Sequence, residues 1–273
     1  MDDFQRDVIA ALGVAPTFDA QAETRRRIEF LKSYLETSRL RSYVLGISGG
    51  VDSLTAALLA QHAVRELRET GYDASFVAVR LPYGVQADEG DASRAMQAIK
   101  ADREITINIK SATDAMLEAA MAGGLSFADA AQADFIRGNI KARQRMIAQY
   151  ALAGAIRGLV IGTDHAAEAL MGFFTKFGDG AADILPLAGL NKRRVRALAA
   201  VLGAPADLVM KVPTADLEDN APLRPDEDAY GVTYEEIDDF LEGKPVGASS
   251  ESRIRSTYEA SRHKRALAAS AAE

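Results

Sequence analysis

The sequence contains no cysteine. That absence removes disulfides, thiolate metal sites and any cysteine nucleophile. It fits a reducing cytoplasm, which is the localisation we expect. No apolar stretch reaches membrane-spanning length. Asp2 and Asp3 stand where a secretory signal would be basic, so neither a leader nor a membrane partner is expected. Basic charge is not in excess: 32 Lys and Arg face 39 Asp and Glu, a net charge of −7. A basic face for broad nucleic-acid binding is therefore not expected, although a local basic pocket is still allowed. One catalytic motif is missing and another is present only as part of a glycine loop. Asp164-His165 could suggest a Ser–His–Asp triad, but the G-x-S-x-G string in the sequence, Gly46-Ile47-Ser48-Gly49-Gly50, is the glycine loop read below as an anion site. No Lys follows Gly50, so the glycine loop around it is not a Walker A motif.

What is present is an ordinary globular composition, 48% hydrophobic and 26% charged over 273 residues. Helical spacing marks 4–12 and 20–38, the latter burying Ile28, Leu31 and Leu35 and exposing Arg25, Arg26 and Arg27. Strand patterns cover 43–47, 75–81, 104–109 and 158–162. Between and after them lie helices at 51–64, 88–100, 112–121, 128–156, from His165, 191–202, 233–242 and 250–268. Residues 204–231 carry four of the eight prolines and read as irregular. Together with 83–90, they are the expected mobile lids of any site they flank. We expect one unit, with N-terminal helices (1–40), a core (41–203) and a loop followed by C-terminal helices (204–273). Strands alternating with helices predict an α/β fold, a doubly wound, mainly parallel sheet with helices on both faces.

The most informative stretch is Gly46-Ile47-Ser48-Gly49-Gly50-Val51-Asp52-Ser53. A strand leads into it and a helix leaves it, with Leu54, Ala57, Leu58 and Val64 on one apolar face. Gly49 and Gly50 lack the Cβ atoms that would keep an anion off the backbone. The first N–H groups of a helix have no partner within it and favour negative charge. Ser48 and Ser53 add hydroxyls. Asp52 adds a carboxylate that repels phosphate unless a metal lies between them. The loop thus reads as a site for phosphates plus a divalent cation. A second loop, Gly162-Thr163-Asp164-His165-Ala166-Ala167-Glu168, follows the fourth strand. If strands one and four are neighbours, the two loops face each other where strand order reverses. Asp52 and Glu168 then share Mg²⁺ on a triphosphate, since this ion takes one or two carboxylates plus phosphate oxygens.

The pattern S-G-G-x-D-S resembles the loop of the N-type ATP pyrophosphatases, whose fold is adenine nucleotide α-hydrolase-like. Further motifs narrow the resemblance: Leu81-Pro82-Tyr83-Gly84-Val85-Gln86-Ala87-Asp88-Glu89, Arg137-Gly138-Asn139, Gly162 to Glu168, Gly172-Phe173-Phe174-Thr175-Lys176-Phe177-Gly178-Asp179-Gly180, Pro213 to Glu218, and His263-Lys264. These resemble the ammonia-dependent NAD⁺ synthetases over nearly the whole chain. The resemblance implies a homodimer that makes NAD⁺ from deamido-NAD⁺, ATP and ammonia through an adenylated nicotinate. It implies ATP contacts at Gly46, Ile47, Ser48, Gly49, Gly50, Val51, Asp52, Ser53, Thr163, Lys192 and Thr214, with Arg80 and Gln86 near the adenine. Arg143, Lys176, Asp183, His263 and Lys264 match deamido-NAD⁺ contacts. Asp52, Lys192, Thr214 and Asp179 are the expected catalytic groups, Asp179 as holder of ammonium.

Read without the family, several of these residues have plainer roles. Lys192 beside Arg193, Arg194 and Arg196 is the solvated face of a basic helix. His263 is a surface histidine, and Asp179 is a turn residue between two glycines. Val51 departs from the Gln of many relatives, and the Ala-rich end from Ala266 departs from their tail. An ATP-pyrophosphatase ligase acting on RNA is the nearest rival reading; the missing cysteine and the acidic charge weigh against it. A non-catalytic nucleotide-binding module is the other, and the pair Asp52 and Glu168 weighs against that.

Overall fold

The computed structural model describes residues 1–84, 89–215 and 224–271. The chain opens on α1 (Asp3–Ala11) and α2 (Ala20–Thr37). Each is started by an aspartate, Asp2 accepting from the Gln5 N–H and Asp19 from the Ala22 N–H. Strand and helix then alternate through β1 (Ser42–Gly46), α3 (Val51–Glu69), β2 (Ser75–Arg80), α4 (Glu89–Ile99), β3 (Arg103–Thr106), α5 (Lys110–Ala122), α6 (Ala130–Ala155) and β4 (Gly158–Val160). Two further helices carry site residues, α7 (Ala166–Met171) and α8 (Lys192–Val201). After them come α9 (Ala206–Val209), the antiparallel pair β5 (Thr214–Ala215) and β6 (Arg224–Pro225), and α10 (Asp226–Tyr230). The described chain finishes with α11 (Tyr234–Leu241), α12 (Ala248–Ala260) and a 3₁₀ turn at Arg262–Lys264.

The four-stranded sheet has the order β3-β2-β1-β4, with every pairing parallel. The chain moves outward from β1 to β3 and then returns to β4 on the other side of β1. The condition set on the two loops is thus met: β1 and β4 pair, and the reversal point lies between them. Alternating side chains divide between two layers. Tyr43, Leu45, Phe76 and Ala78 face Leu31 and Leu35 of α2, Leu54 of α3 and Leu198 of α8. Val44, Val77, Val79 and Val160 face Ala148, Leu152 and Ala153 of α6. A separate core gathers Val8 of α1, Leu170 of α7, Ile237 and Phe240 of α11, and Ile254 of α12. It anchors the C-terminal helices beside the sheet's open end.

Four local expectations need correction. α3 does not have one apolar face; it is buried almost all round, because α2, α4 and α8 enclose it on the sheet. Arg27 is not exposed. It lies 5% exposed among α2 neighbours, paired with Glu23 and donating to the Ala188 carbonyl. β3 spans Arg103–Thr106 rather than 104–109; beyond it, Ile107 and Ile109 still donate to the Arg80 and Pro82 carbonyls without strand geometry. Residues 204–231 include α9, the β5–β6 pair and α10 rather than uniform loop. The expected lids, like Gln86 and the end of the Pro213–Glu218 motif, fall partly on 85–88 and 216–223, outside the described residues. Among the described residues, no helix is long and apolar enough to cross a membrane.

Tyr43 locks α2 onto the sheet. It has no solvent exposure, and its hydroxyl donates to the Leu31 carbonyl at 2.7 Å. Tyr43→Phe leaves that carbonyl one donor short and is expected to cost about 1 kcal/mol. Urea unfolding should show a lower midpoint with an unchanged slope; an unchanged midpoint would contradict the assignment.

Candidate active site

The first lip of the crevice is the turn from β1 into α3. Gly49 has φ +88°, and a Cβ there would lie 2.8 Å from the backbone nitrogen of Ala92. Glycine is thus required by conformation and by the approach of α4. Gly50 is the N-cap of α3 and supplies no side-chain cap, so the helix's first N–H groups stay available to an anion. The Ser48 hydroxyl accepts from the Gly50 N–H at 3.2 Å and lies 3.1 Å from the Ser53 hydroxyl. Beneath the turn, the Gln149 side chain accepts from the Gly46 N–H at 2.7 Å.

The second lip follows β4. Gly162 donates to the Ile184 carbonyl at 2.9 Å, and a Cβ on it would meet Leu185 at 2.5 Å. His165 is the N-cap of α7, its Nδ1 accepting from the Glu168 N–H at 3.4 Å. This cap turns the imidazole inward and sets Glu168 on the first turn of the helix. Lys192 arrives from α8, whose N-terminus is fixed twice. Asn191 caps it from within, and Asp238 of α11 accepts from the Lys192 and Arg193 N–H groups at 3.0 and 2.7 Å.

The three elements meet in one buried cluster. Lys192 Nζ lies 2.7 Å from Asp52 Oδ2 and 3.4 Å from His165 Nε2, and it sits 4.8 Å from the centre of the Tyr234 ring. His165 Nε2 is 3.4 Å from Asp52 Oδ1 and 3.6 Å from Glu168 Oε1. One ligand atom from each of Asp52, His165 and Glu168 falls within 4.8 Å of the others. Lys192 is 1% exposed, so it is not the solvated face that the neighbouring arginines suggest.

Burial raises both carboxyls, but their neighbours separate them. At Asp52 burial is outweighed by the Lys192 ammonium and by His165, so the carboxyl is held below its usual range. Glu168 is pushed up by burial, with the charges of Asp52 and Asp164 adding to the shift. Burial disfavours the charged form of Lys192, yet Asp52 and Glu168 together keep its ammonium favoured.

Both lips open onto one cavity of about 430 Å³. Gly46, Ile47, Ser48, Gly50, Val51, Asp52 and Ser53 line it from one side, and Thr163, Glu168, Asp179, Thr214 and Lys264 from the others. Lys192 reaches it through Asp52. Arg80 is not among the residues that line it. Its guanidinium donates to the Ile47 carbonyl at 2.5 Å and to Glu89 at 2.8 Å, bracing the glycine turn from behind. Of the five residues matched to deamido-NAD⁺, Lys264 lines the cavity, donating to the Gly172 and Phe174 carbonyls. The other four lie outside its lining. Arg143 donates to the Lys176 carbonyl, Lys176 to the His263 carbonyl, and Asp183 accepts from the Val160 N–H at 2.7 Å. Asp179 opens onto the cavity and accepts from the Thr175 N–H at 2.9 Å; surrounding protein still pushes its carboxyl up.

Several site residues take roles that the sequence does not show. Asn139, Arg145 and Gln149 of α6 form one wall. Their spacing is helical, but only the packing of α6 on the strand ends turns that face to the crevice. His165 is visible in the sequence as a titratable group, not as the cap that orients Glu168. Asp226 reads as one acid among several in 226–228, yet it is 7% exposed and lines the cavity.

Asp164 gives this site a pH signature. Burial pushes its carboxyl to about 7, with Asp179 adding repulsion. In the unfolded chain it ionises near the ordinary carboxylate value, so as pH rises from about 4 to 7 the folded state progressively carries an unfavourable charge. Asp164→Asn should therefore match the wild type near pH 4 and melt higher at pH 8, by roughly 5 °C. A melting difference that does not grow with pH would refute this.

The chain also matches known proteins along its length. The family model for NAD synthase matches residues 23–268. The NH₃-dependent NAD⁺ synthetase of Burkholderia lata is 67% identical over 263 residues, 96% of this chain and 93% of that protein. The crystal structure of NAD⁺ synthetase from Burkholderia pseudomallei is 62% identical and superposes with a TM-score of 0.84 over 97% of each chain. An NMN synthetase structure from Francisella tularensis is 38% identical, with a TM-score of 0.80 over 93% of this chain and 99% of that one. With the glycine turn, the facing acid and the buried lysine in one crevice, and with relatives matched along almost the full length, the chain belongs to the ammonia-dependent NAD⁺ synthetases.

Proposed function

We infer that this crevice carries out both halves of the family's reaction, the ATP-dependent amidation of deamido-NAD⁺ to NAD⁺ with ammonia. The observation that carries the reading is the cluster in which Asp52, Glu168, His165 and Lys192 converge beside the unoccluded N-terminus of α3. In the first half, the nicotinate carboxylate attacks the α-phosphorus of ATP and pyrophosphate leaves. In the second, ammonia attacks the acyl carbon and AMP leaves. A carboxylate alone is a poor acylating agent because it would have to expel oxide; the adenylate gives it a competent leaving group.

The chain contributes position and charge. The 46–53 turn offers backbone N–H groups and the Ser48 and Ser53 hydroxyls to the departing pyrophosphate. Lys192 offsets charge that accumulates there, and Thr214 lies on the opposite wall. The donor set fits Mg²⁺: two carboxylates from opposite lips, with Asp52 Oδ1 buried and lacking a hydrogen-bond partner. When bound by Asp52 and Glu168, that ion supplies positive charge beside the triphosphate. Asp179 holds ammonium in the cavity, and the surrounding protein limits water that would hydrolyse the adenylate. Arg143, Lys176, Asp183, His263 and Lys264 serve deamido-NAD⁺, the first four from outside the cavity itself.

A homodimer is supported by the outer surface of α6 and α5. Ile147, Met116 and Met121 are each 51% exposed. The inner residues Ala148 and Leu152, by contrast, pack on the sheet. Sedimentation should give a dimer; a fully active monomer would rule the assembly out.

Purified protein supplied with Mg·ATP, deamido-NAD⁺ and ammonium should release pyrophosphate and form NAD⁺. Asp52→Ala and Glu168→Ala should each lower turnover by about a hundredfold or more at saturating Mg²⁺. Near-normal rates for both would refute the metal assignment. Similarity to an NMN synthetase makes nicotinate mononucleotide the competing substrate, to be run in parallel; a clear preference for it would overturn the dinucleotide reading. Glutamine scrubbed of ammonia should give background product, since no cysteine is present to attack its amide.

A further inference from the structure

We propose that Asp226 is a positioning residue that takes the Lys192 ammonium over from Asp52 when a metal claims that carboxylate. The inference rests on the metal reading given above. It starts from a conflict at Asp52. Oδ2 is occupied by Lys192 Nζ at 2.7 Å, and Oδ1 is buried without a hydrogen-bond partner. A divalent ion bound there, shared with Glu168, brings two like charges to one carboxylate. The ammonium is then repelled. Yet Lys192 is 1% exposed, and a buried ammonium that loses its anion is strongly disfavoured unless another is at hand.

The charged groups around Lys192 narrow the choice. Glu168 belongs to the same metal site, and His165 offers no negative charge. Asp238 is spent on the backbone N–H groups of Lys192 and Arg193. Asp226 remains. It is 7% exposed, lines the cavity, and has one carboxylate oxygen, Oδ1, buried without a partner. Its other oxygen accepts from the Tyr234 hydroxyl at 3.0 Å, and the ring of that tyrosine already carries Lys192 Nζ at 4.8 Å. Tyr234 therefore links the two: its face holds the ammonium and its hydroxyl holds the receiving carboxylate. The Tyr230 hydroxyl, 3.1 Å from that of Tyr234, fixes the ring further. Asp226 itself begins α10, next to the β5–β6 pair that bears Thr214, so the receiver is built into the wall that faces the triphosphate.

The test measures metal held by the protein, not turnover. Mn²⁺ is titrated with a non-hydrolysable ATP analogue, α,β-methylene-ATP, and followed by water-proton relaxation. Asp226→Asn should weaken Mn²⁺ retention by about tenfold when Lys192 is present, and the same substitution should have no further effect in a Lys192→Met background. Thermal stability without metal should not fall in Asp226→Asn, because an acid that burial disfavours has been removed; a merely structural role predicts the opposite. Tyr234→Phe, which keeps the ring and frees Asp226, should weaken retention in the same direction and serves if Asp226→Asn does not fold. Equal weakening by Asp226→Asn with and without Lys192 would overturn the proposal, as would no weakening at all. Undiminished Mn²⁺ retention by Asp52→Asn would overturn the metal reading, and this inference with it.

Discussion

The ion pair between Lys192 and Asp52 is the contact on which the site depends. Its partners are 140 residues apart in the chain and come from α8 and α3. Two charges withdrawn from water repay their desolvation only with good geometry and compensating groups around them. That requirement explains the surrounding structure. Asp238 reaches from α11 to cap α8, Asn191 caps it from within, His165 caps α7 while facing Asp52, and Tyr234 backs the ammonium. Four helices are thereby held at the reversal point of the sheet by a few polar contacts. Two separate apolar cores carry their weight.

The cluster also sets the electrostatic character of the crevice. Asp52 is kept ionised by Lys192 and His165, whereas Glu168, buried beside it, is driven toward its neutral form. Two carboxylates at close range need not carry equal charge, and the protein resolves their repulsion in this unequal way. On the reading proposed above, a polyphosphate with its cation changes that balance. The glycine turn then becomes useful, because its backbone donors carry no charge of their own to be desolvated.

Around this centre the remaining walls have a mechanical task. Gln149 holds the Gly46 N–H, Arg145 donates to the Leu81 carbonyl, and Arg80 braces the Ile47 carbonyl. The strand ends are thus tied to α6 and to the back of the turn. Lys264 ties the C-terminal 3₁₀ turn to the Gly172–Phe174 segment through two carbonyls. The cavity is consequently bounded by elements from β1 through to the C-terminal 3₁₀ turn.

By itself the sequence determined the alternation of strands and helices, the glycine turn, the acids at 52 and 168, and the family, because each is carried by local spacing or by residue types in a short run. The sequence left the adjacency of β1 and β4 as a condition, and the sheet pairing met it. Other features were decided only in three dimensions. α3 is enclosed because α2, α4 and α8 surround it, which no periodicity within α3 records. Lys192 and Arg27 carry the composition of surface residues and are buried because distant groups satisfy them, Asp52 for one and Glu23 with the Ala188 carbonyl for the other. The roles of His165, Gln149 and Asp226 are likewise set by what stands opposite them. Burial and charge compensation are properties of contacts between remote segments, and a linear pattern reports only the side chains available to make them.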